Sequence, residues 1–266
     1  MAKWDDTKRR RNMLIVKPNE LAQKSRSLLT SQQINIVEYL LSCVRKNDAA
    51  DTVYAFDIKE FCAAFGLDER NGTHYIELKQ ELKNIADVSC WIVEGKTHSL
   101  FRWLDTVDIN TGSGIIQVSF HQTVRKYIFN LNPKEGYNPY TLANVAALNG
   151  KTGRNKYPKL VYFFLHSYVE QGGITVTVED FRKIHCPTEY TEFKDINRRI
   201  LKPAQDKINE LTDITFFYEP YKQIGSKSYT HIKFTIYRKQ GEKALKELEI
   251  KQDIAIDGEH IPDLPF

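Results

Sequence analysis

Along Glu189–Asp213 (EYTEFKDINRRILKPAQDKINELTD) apolar and polar positions separate onto two sides of a helix. At about 100° per residue, Tyr190, Phe193, Ile196, Ile200 and Leu201 fall on one arc. Thr191, Asp195, Arg198, Arg199 and Lys202 fall on the opposite one. An apolar stripe of this kind holds a helix on a core and leaves the other arc to present donors. Pro203 cannot donate to the Arg199 carbonyl, so a kink or split is expected there. The period then changes to two: Ile214–Tyr218 and Tyr229–Tyr237 alternate as strands around a turn at Gly225.

The same order is written upstream. Asn12–Glu20 reads as an opening strand broken by Pro18, and Thr30 as the N-cap of an apolar helix, Ile34–Val44. Strand Val53–Ile58 leads into a short helix, Glu60–Phe65, that begins at Asp57 or Lys59 and stops at Gly66. A turn at Arg70–Thr73 precedes helix His74–Ala86, where Tyr75, Leu78, Leu82 and Ile85 share a face. Alternating runs at Cys90–Val93, Ser99–Asp108 and Ile115–Phe120 follow, with turns at Glu94-Gly95 and Asn110–Gly114, and His121–Leu131 reads as a closing helix. Asn132–Pro139 holds two prolines and a glycine and marks a boundary. Beyond it come helix Tyr140–Leu148, a Gly-rich joint at Asn149–Gly153, helix Leu160–Val169, the Gly172-Gly173 turn, strand Ile174–Val178 and helix Glu179–Ile184. Gly241–Lys251 has the pattern of one more helix, and Asp253–Phe266 that of a loose tail.

Two short strings show that this order is a repeat. Phe56–Phe61 (FDIKEF) aligns with Val176–Phe181 (VTVEDF), and Tyr75–Lys79 (YIELK) with Tyr190–Lys194 (YTEFK). The two matches differ in spacing by five residues, which a loop before the long helix would absorb. Two matches in one order, with the same flanking elements, indicate duplicated domains. The domains are therefore 1–13, a basic arm; 14–133, the first module; 134–240, the second; and 241–266, a helix and tail. The fold class is α+β.

A helix followed by a twisted hairpin is an arrangement that binds double-stranded DNA. Of the stretch kinked or split at Pro203, Tyr190–Lys202 is then expected as the half that reads DNA and Pro203–Leu211 as the half that props it against the core. In the second module Arg198 is the candidate for a bidentate guanine contact, Arg199 and Lys202 for phosphates, with Thr191, Lys194 and Asp195 beside them. The plainer alternative is that the two arginines only balance Glu192 and Asp195 on a solvated face. In the first module the outward arc holds Thr73, Ile76, Gln80, Lys83 and Asn84. The string alignment lays Gln80, Lys83 and Asn84 over Asp195, Arg198 and Arg199. Gln80 suits an adenine and Lys83 a phosphate, while Ile76 suits a thymine methyl or packing against the module's own wing. Lys96 and His98 are assigned to the first wing tip, and Lys222, Lys227 and Ser228 to the second, for backbone or minor-groove contacts.

Composition supports this without deciding it. The chain has 266 residues, 41% hydrophobic and 12% aromatic, which is enough for one large or two ordinary domains with real cores. Net charge is only +4, so a basic surface requires charge segregation. Four scattered cysteines without a CxxC pair or secretory leader fit reduced thiols in a cytosolic protein. No run approaches the roughly eighteen apolar residues of a membrane span. Lys8–Arg11 reads either as an arm near DNA or as a solvated end.

Catalytic motifs fail on spacing. The Asn149–Thr152 string resembles a P-loop, but the glycine required five positions before Gly150 is Val145. No two of the seven histidines have the His-x-His spacing of rolling-circle nicking enzymes, and His185-Cys186 lacks a second pair for zinc. Asp105 and Asp108, three apart on a strand, point to opposite faces. No nucleophile motif such as GxSxG is present. The chain is expected to be non-catalytic and to use no cofactor or metal.

Five stretches carry a resemblance: IVKPNELAQKSRSLLTSQQINIVEYLL, YIELKQELKNIAD, KLVYFFLHSY, EYTEFKDINRRILKPAQDKINELTDI and HIKFTIYRK. Together, from about Leu14 to Lys239, they are similar to the bacterial plasmid replication initiators that bind repeated origin sequences, the iterons. The late YxxF…RRILKPAxxxINxxTDI string is the most specific. The resemblance implies tandem winged-helix domains in pseudo-twofold relation, each placing its long helix in the major groove. It implies a monomer that binds iterons and opens the origin for host helicase loading, and a homodimer, through the first domain, that represses its own promoter. Host replication proteins such as initiator, helicase and chaperones would be its partners, in the bacterial cytoplasm. Tyr162-Phe163-Phe164 is more aromatic than the family pattern, and the tail past Glu242 has no counterpart. Leu264 and Phe266 faintly resemble a sliding-clamp docking motif without its leading glutamine; a disordered end competes with that reading. The competing function is a winged-helix transcriptional repressor with no initiator role.

Overall fold

Strand β1 (Leu14–Ile15) and helix α1 (Asn19–Lys24) lead into α2 (Ser31–Cys43), which is buried on nearly every side. The computed structural model describes residues 14–24, 29–45, 48–67, 73–94, 96–125, 127–129, 136–149, 155–186 and 188–239. The Lys8–Arg11 arm, the Gly241–Lys251 helix and the tail with Leu264 and Phe266 lie outside the described residues, as do most of the Gly-rich joint and the Arg70–Gly72 turn. Thr30 caps α2 reciprocally: its hydroxyl accepts from Gln33 N at 3.2 Å, and Gln33 Oε1 accepts from Thr30 N at 2.9 Å.

The first unit continues with β2 (Val53–Asp57), α3 (Ile58–Phe65) and α4 (Thr73–Asp87). After these come β3 (Ser89–Glu94), β4 (Thr97–Arg102), β5 (Leu104–Asn110), β6 (Ile115–Phe120) and a short α5 (Gln122–Arg125). Asp57 caps α3 by accepting from Lys59 N at 2.7 Å, and Gly66 ends it in the left-handed region at φ 67°. Strands β2, β6 and β5 form an antiparallel sheet with β6 in the centre, while β3 and β4 pair as a separate hairpin. Tyr39, Phe56, Phe61 and Phe65 meet in the core beneath.

Two expectations change here. Ser99–Asp108 is not one strand, because Phe101, Trp103 and Leu104 are all buried. A strand sends alternate residues to opposite faces, so the chain must bend at Trp103 to bury 103 and 104 together, and it passes from one sheet to another there. The closing helix stops at Arg125, short of the Leu131 expected, and Tyr127–Phe129 continue as turns whose side chains are buried.

The second unit begins with β7 (Tyr140–Thr141), where a helix was expected, followed by α6 (Leu142–Ala147) and α7 (Tyr157–His166). Strand β8 (Gly173–Thr177) and α8 (Val178–His185) follow; Thr177 caps α8 by accepting from Asp180 N at 2.9 Å. Next comes a continuous helical rod: α9 (Phe193–Ile196), a π-helical segment (Asn197–Leu201) and α10 (Lys202–Leu211). The hairpin β9 (Ile214–Tyr221) and β10 (His231–Arg238) completes a sheet ordered β8-β10-β9. At its edge Gly173 lies so close to β10 that a Cβ would sit 2.2 Å from the Phe234 carbonyl oxygen, so only glycine fits.

The two units are thus the same build: helix, edge strand, short helix, long helix and hairpin, with the last strand central. Asp57 and Thr177 occupy the same cap, and Phe61 and Phe181 the same buried position. They are also stitched together. Strand β1 pairs with β7, and Pro18 bridges Tyr137. Lys17 donates to Glu38 at 2.7 Å and lies over the Phe163 ring at 3.9 Å. Lys159 of α7, fully buried, donates to Ser31 Oγ at 2.8 Å, the Ser31 carbonyl at 3.0 Å, Asn35 Oδ1 at 2.6 Å and Asn149 Oδ1.

Candidate nucleic-acid interface

The long helix of the second unit shows why its sequence reads as it does. One row of buried positions, Ile196, Ile200, Ala204 and Ile208, recurs every fourth residue, with Leu201 buried beside it. In a pure α-helix a four-residue row drifts by about 40° per step, so the row would leave the core within three steps. The wider π turn takes up part of that drift. Lys202 N accordingly donates five residues back, to the Asn197 carbonyl. Pro203, which has no N–H to donate, then falls in the first turn of α10, directly after the π turn has changed the hydrogen-bond register. The chain is not split at Pro203: Ile196, Leu201 and Lys202 all keep right-handed helical angles, and the irregularity falls in the π turn just before the proline.

The helix also starts later than its pattern suggested. Tyr190 and Thr191 precede the N-cap, Glu192, so they are not on the helical arcs assigned to them. Thr191 is exposed on the approach turn. From the helix itself Lys194, Arg198 and Lys202 project to solvent every fourth residue, with Arg199 beside them. Asp195 sits among them and accepts from Arg198 at 2.8 Å, with Arg199 Nε 3.8 Å away. The ion pairing of the plainer reading is thus real, but it joins side chains that are mostly exposed. Such pairs are weak and easily given up for a better acceptor.

The hairpin leans on this helix. Tyr229 packs against Phe193 with ring centroids 5.0 Å apart, and Lys222 lies over the Tyr229 ring at 5.5 Å. Lys222 and Lys227 are exposed on the β9–β10 turn, where Gly225 takes φ 88°. The Asn209 side chain clamps the hairpin's first strand to α10, donating to the Phe216 carbonyl and accepting from its N–H, both at 2.9 Å.

In the first unit α4 begins at Thr73, and Ile76, Gln80 and Lys83 are exposed along it. Ile76 is 68% exposed, which removes the alternative that it packs against a wing. Gln80 donates to Asn84 at 2.8 Å and Lys83 to Asp87 at 2.9 Å; Asn84 is half-buried. The expected alignment of the two long helices shifts. Both start eight positions after the preceding helix ends, at 65 to 73 and 185 to 193, so no longer loop intervenes. By burial, Leu78 and Leu82 match Ile196 and Ile200, which lays Gln80 over Arg198 rather than Asp195.

Lys96 is likewise displaced. It is exposed on the β3–β4 turn, which belongs to an added hairpin; the counterpart of β9–β10 is β5–β6, with its tip at Asn110–Gly114. There Asn110 Oδ1 accepts from Gly112 N and Ser113 N at 3.0 and 3.1 Å. The turn is visible in the sequence, but its sheet partner is not. Among the described residues no group of three or more His, Cys, Asp or Glu side chains is placed to hold a metal. No helix there is long and apolar enough to cross a membrane.

Two domains, each with a solvent-facing long helix and a hairpin beside it, define a tandem winged-helix protein. Family models match both domains: the initiator replication protein WH1 domain matches residues 14–160, running past the expected boundary at 132–139 into α7, and the initiator Rep protein WH2 domain matches residues 177–236. The chain belongs to this replication initiator family, which decides against a transcriptional repressor alone. The crystal structure of the Pi initiator protein in complex with iteron DNA shares the fold. Its TM-score is 0.70 at 14% identity, covering 86% of this chain and 99% of that one. The WH1 domain of MSBI1.176, a replication protein isolated from a multiple sclerosis patient, overlaps 35% of this chain and 72% of its own, at TM-score 0.26 and 15% identity. No curated protein sequence matches.

Proposed function

We propose that this plasmid replication initiator binds iteron repeats as a monomer, with α9–α10 and α4 in successive major grooves. The exposed row Lys194, Arg198 and Lys202, with Arg199 beside it, is the observation that carries the reading. Arg198 takes the base contact and Arg199 and Lys202 the phosphates; Asp195 holds the arginines until DNA displaces it. Thr191, Lys222 and Lys227 add contacts at the edges of this surface. Thr73, Ile76, Gln80, Lys83 and Asn84 form the weaker reader. A lost bidentate contact removes about 1–3 kcal/mol of discrimination. Arg198→Ala should therefore bind more weakly and lose about 5- to 150-fold of the preference for iteron over scrambled DNA in a gel shift. Retention of full preference by that variant would reject the assignment.

The protein acts by binding and recruitment rather than catalysis, opening the origin for helicase loading by host replication proteins in the bacterial cytoplasm. A homodimer through the first domain represses the initiator's own promoter. Its support is the β3–β4 hairpin, where the cross-strand pair Trp91 and Leu100 is 46% and 45% exposed. Trp91→Ser should sediment as a monomer at concentrations where the parent dimerises. A weak sliding-clamp contact through Leu264 and Phe266 predicts lower plasmid copy number when Ile261–Phe266 is deleted.

A further inference from the structure

Tyr190 is the one residue other than glycine with a positive φ, 46°, among the described residues. An L side chain disfavours this region, and an aromatic one has no local hydrogen bond to offset the clash, as Asn or Asp would. Glycine would hold the same turn without strain. Something other than the turn must therefore keep a ring here.

The surroundings of the ring supply the reason. On one side it packs against Tyr157, the first residue of α7, with centroids 6.0 Å apart. Near the other ring lies Lys156, with Nζ 5.9 Å from the Tyr157 centroid. The Arg199 guanidinium stands over Tyr190 at 5.5 Å, with Asp195 3.8 Å from its Nε. A cation, two rings and a second cation thus run from the start of the second domain's α7 to its reading helix. Arg199 is half-exposed and long, and without the ring it would sample many rotamers.

We infer that Tyr190 is a positioning residue: its strained backbone aims the ring that orients Arg199 for the DNA phosphate. The inference rests on the role of Arg199 proposed above. The strain sits just before the reading helix, and the ring's attraction to the guanidinium is electrostatic and directional. The turn thus gives up local stability for a preorganised contact, which lowers the entropy lost on binding.

The test uses the full chain and a duplex carrying one iteron repeat that the parent protein binds, at fixed salt. Tyr190→Phe should bind within about twofold of the parent, because the ring is kept. Tyr190→Gly relieves the turn and should keep its thermal midpoint within about 2 °C of the parent, yet lose roughly tenfold in affinity, equivalent to about 1.4 kcal/mol. Arg199→Ala should lose at least as much, and the double variant should be no weaker than Arg199→Ala alone. Losses that multiply in the double variant would overturn the inference, since Tyr190 would then act independently of Arg199. Parent-like binding by Tyr190→Gly, while Arg199→Ala is weakened, would also overturn it. If Arg199→Ala binds like the parent, the phosphate role of Arg199 falls first and the inference goes with it. Should Tyr190→Gly unfold, Tyr190→Asn, which tolerates the same backbone region, replaces it in the cycle under the same criteria.

Discussion

His185 ends α8 with its ring between Phe181, at 4.3 Å, and Phe164, at 5.1 Å, and among the described residues neither ring nitrogen has a hydrogen-bond partner. Burial lowers its pKa from 6.5 to about 3. Between those values the unfolded chain binds a proton that the folded protein refuses, so stability must fall as pH falls through that window. The slope is up to about 1.4 kcal/mol per pH unit. Urea titrations of the parent and of His185→Leu should diverge below pH 6.5, with the variant losing less; parallel acid limbs would show that the imidazole is not the cause. In the sequence His185 beside Cys186 invites thoughts of a metal. The tertiary structure instead makes it an aromatic filler, because Phe164, Phe181 and Phe234 converge on the same core from α7, α8 and β10.

At the scale of elements, most of the second domain was legible. Caps, glycines and a four-residue apolar row are local signals, and α8, α10 and the β9–β10 hairpin follow them closely. The π segment was not foreseen from the helical arcs, although the even spacing of Ile196, Ile200, Ala204 and Ile208 carries it. The β3–β4 and β5–β6 hairpins could not be told apart beforehand, because alternation identifies a strand but not its sheet. That distinction assigns the wings. If the β9–β10 tip contacts phosphates through Lys222 and Lys227, replacing both by Ala should reduce the slope of log affinity against log salt by about 1.8. The expected preference for repeat over scrambled DNA would be unchanged. A salt slope identical to the parent's would remove the hairpin from the interface.

At the scale of the whole molecule the two domains meet over buried polar groups. Lys159 crosses from α7 to the N-terminus of α2, and burial lowers its pKa from 10.5 to about 7, with Glu38 opposing the shift and Lys207 adding to it. Below pH 7 folded and unfolded chains both hold the proton, at a standing cost to the folded state. Between pH 7 and 10.5 only the unfolded chain keeps it, so stability should rise with pH by up to about 1.4 kcal/mol per unit. Lys159→Met should abolish that rise in chemical denaturation measured from pH 7 to 10. An unchanged rise would assign it to another group. Nearby, Glu38 binds both Lys17 and the Tyr140 hydroxyl, at 2.7 and 2.6 Å, joining the chain's beginning to its middle.

Local chemistry in the chain determined the duplicated winged-helix order, because helix caps, apolar periods and glycine turns act over a few residues. It also determined the basic row Lys194, Arg198 and Lys202, because helical spacing alone puts those side chains on one side. Only the tertiary structure decided which hairpin serves as the first wing, that the long helix bulges instead of breaking at Pro203, and how the domains lock through Lys159. It alone brought Tyr157, Tyr190 and Arg199 into one stack. Those features depend on which distant residues compete for the same buried space, and no local pattern contains that information.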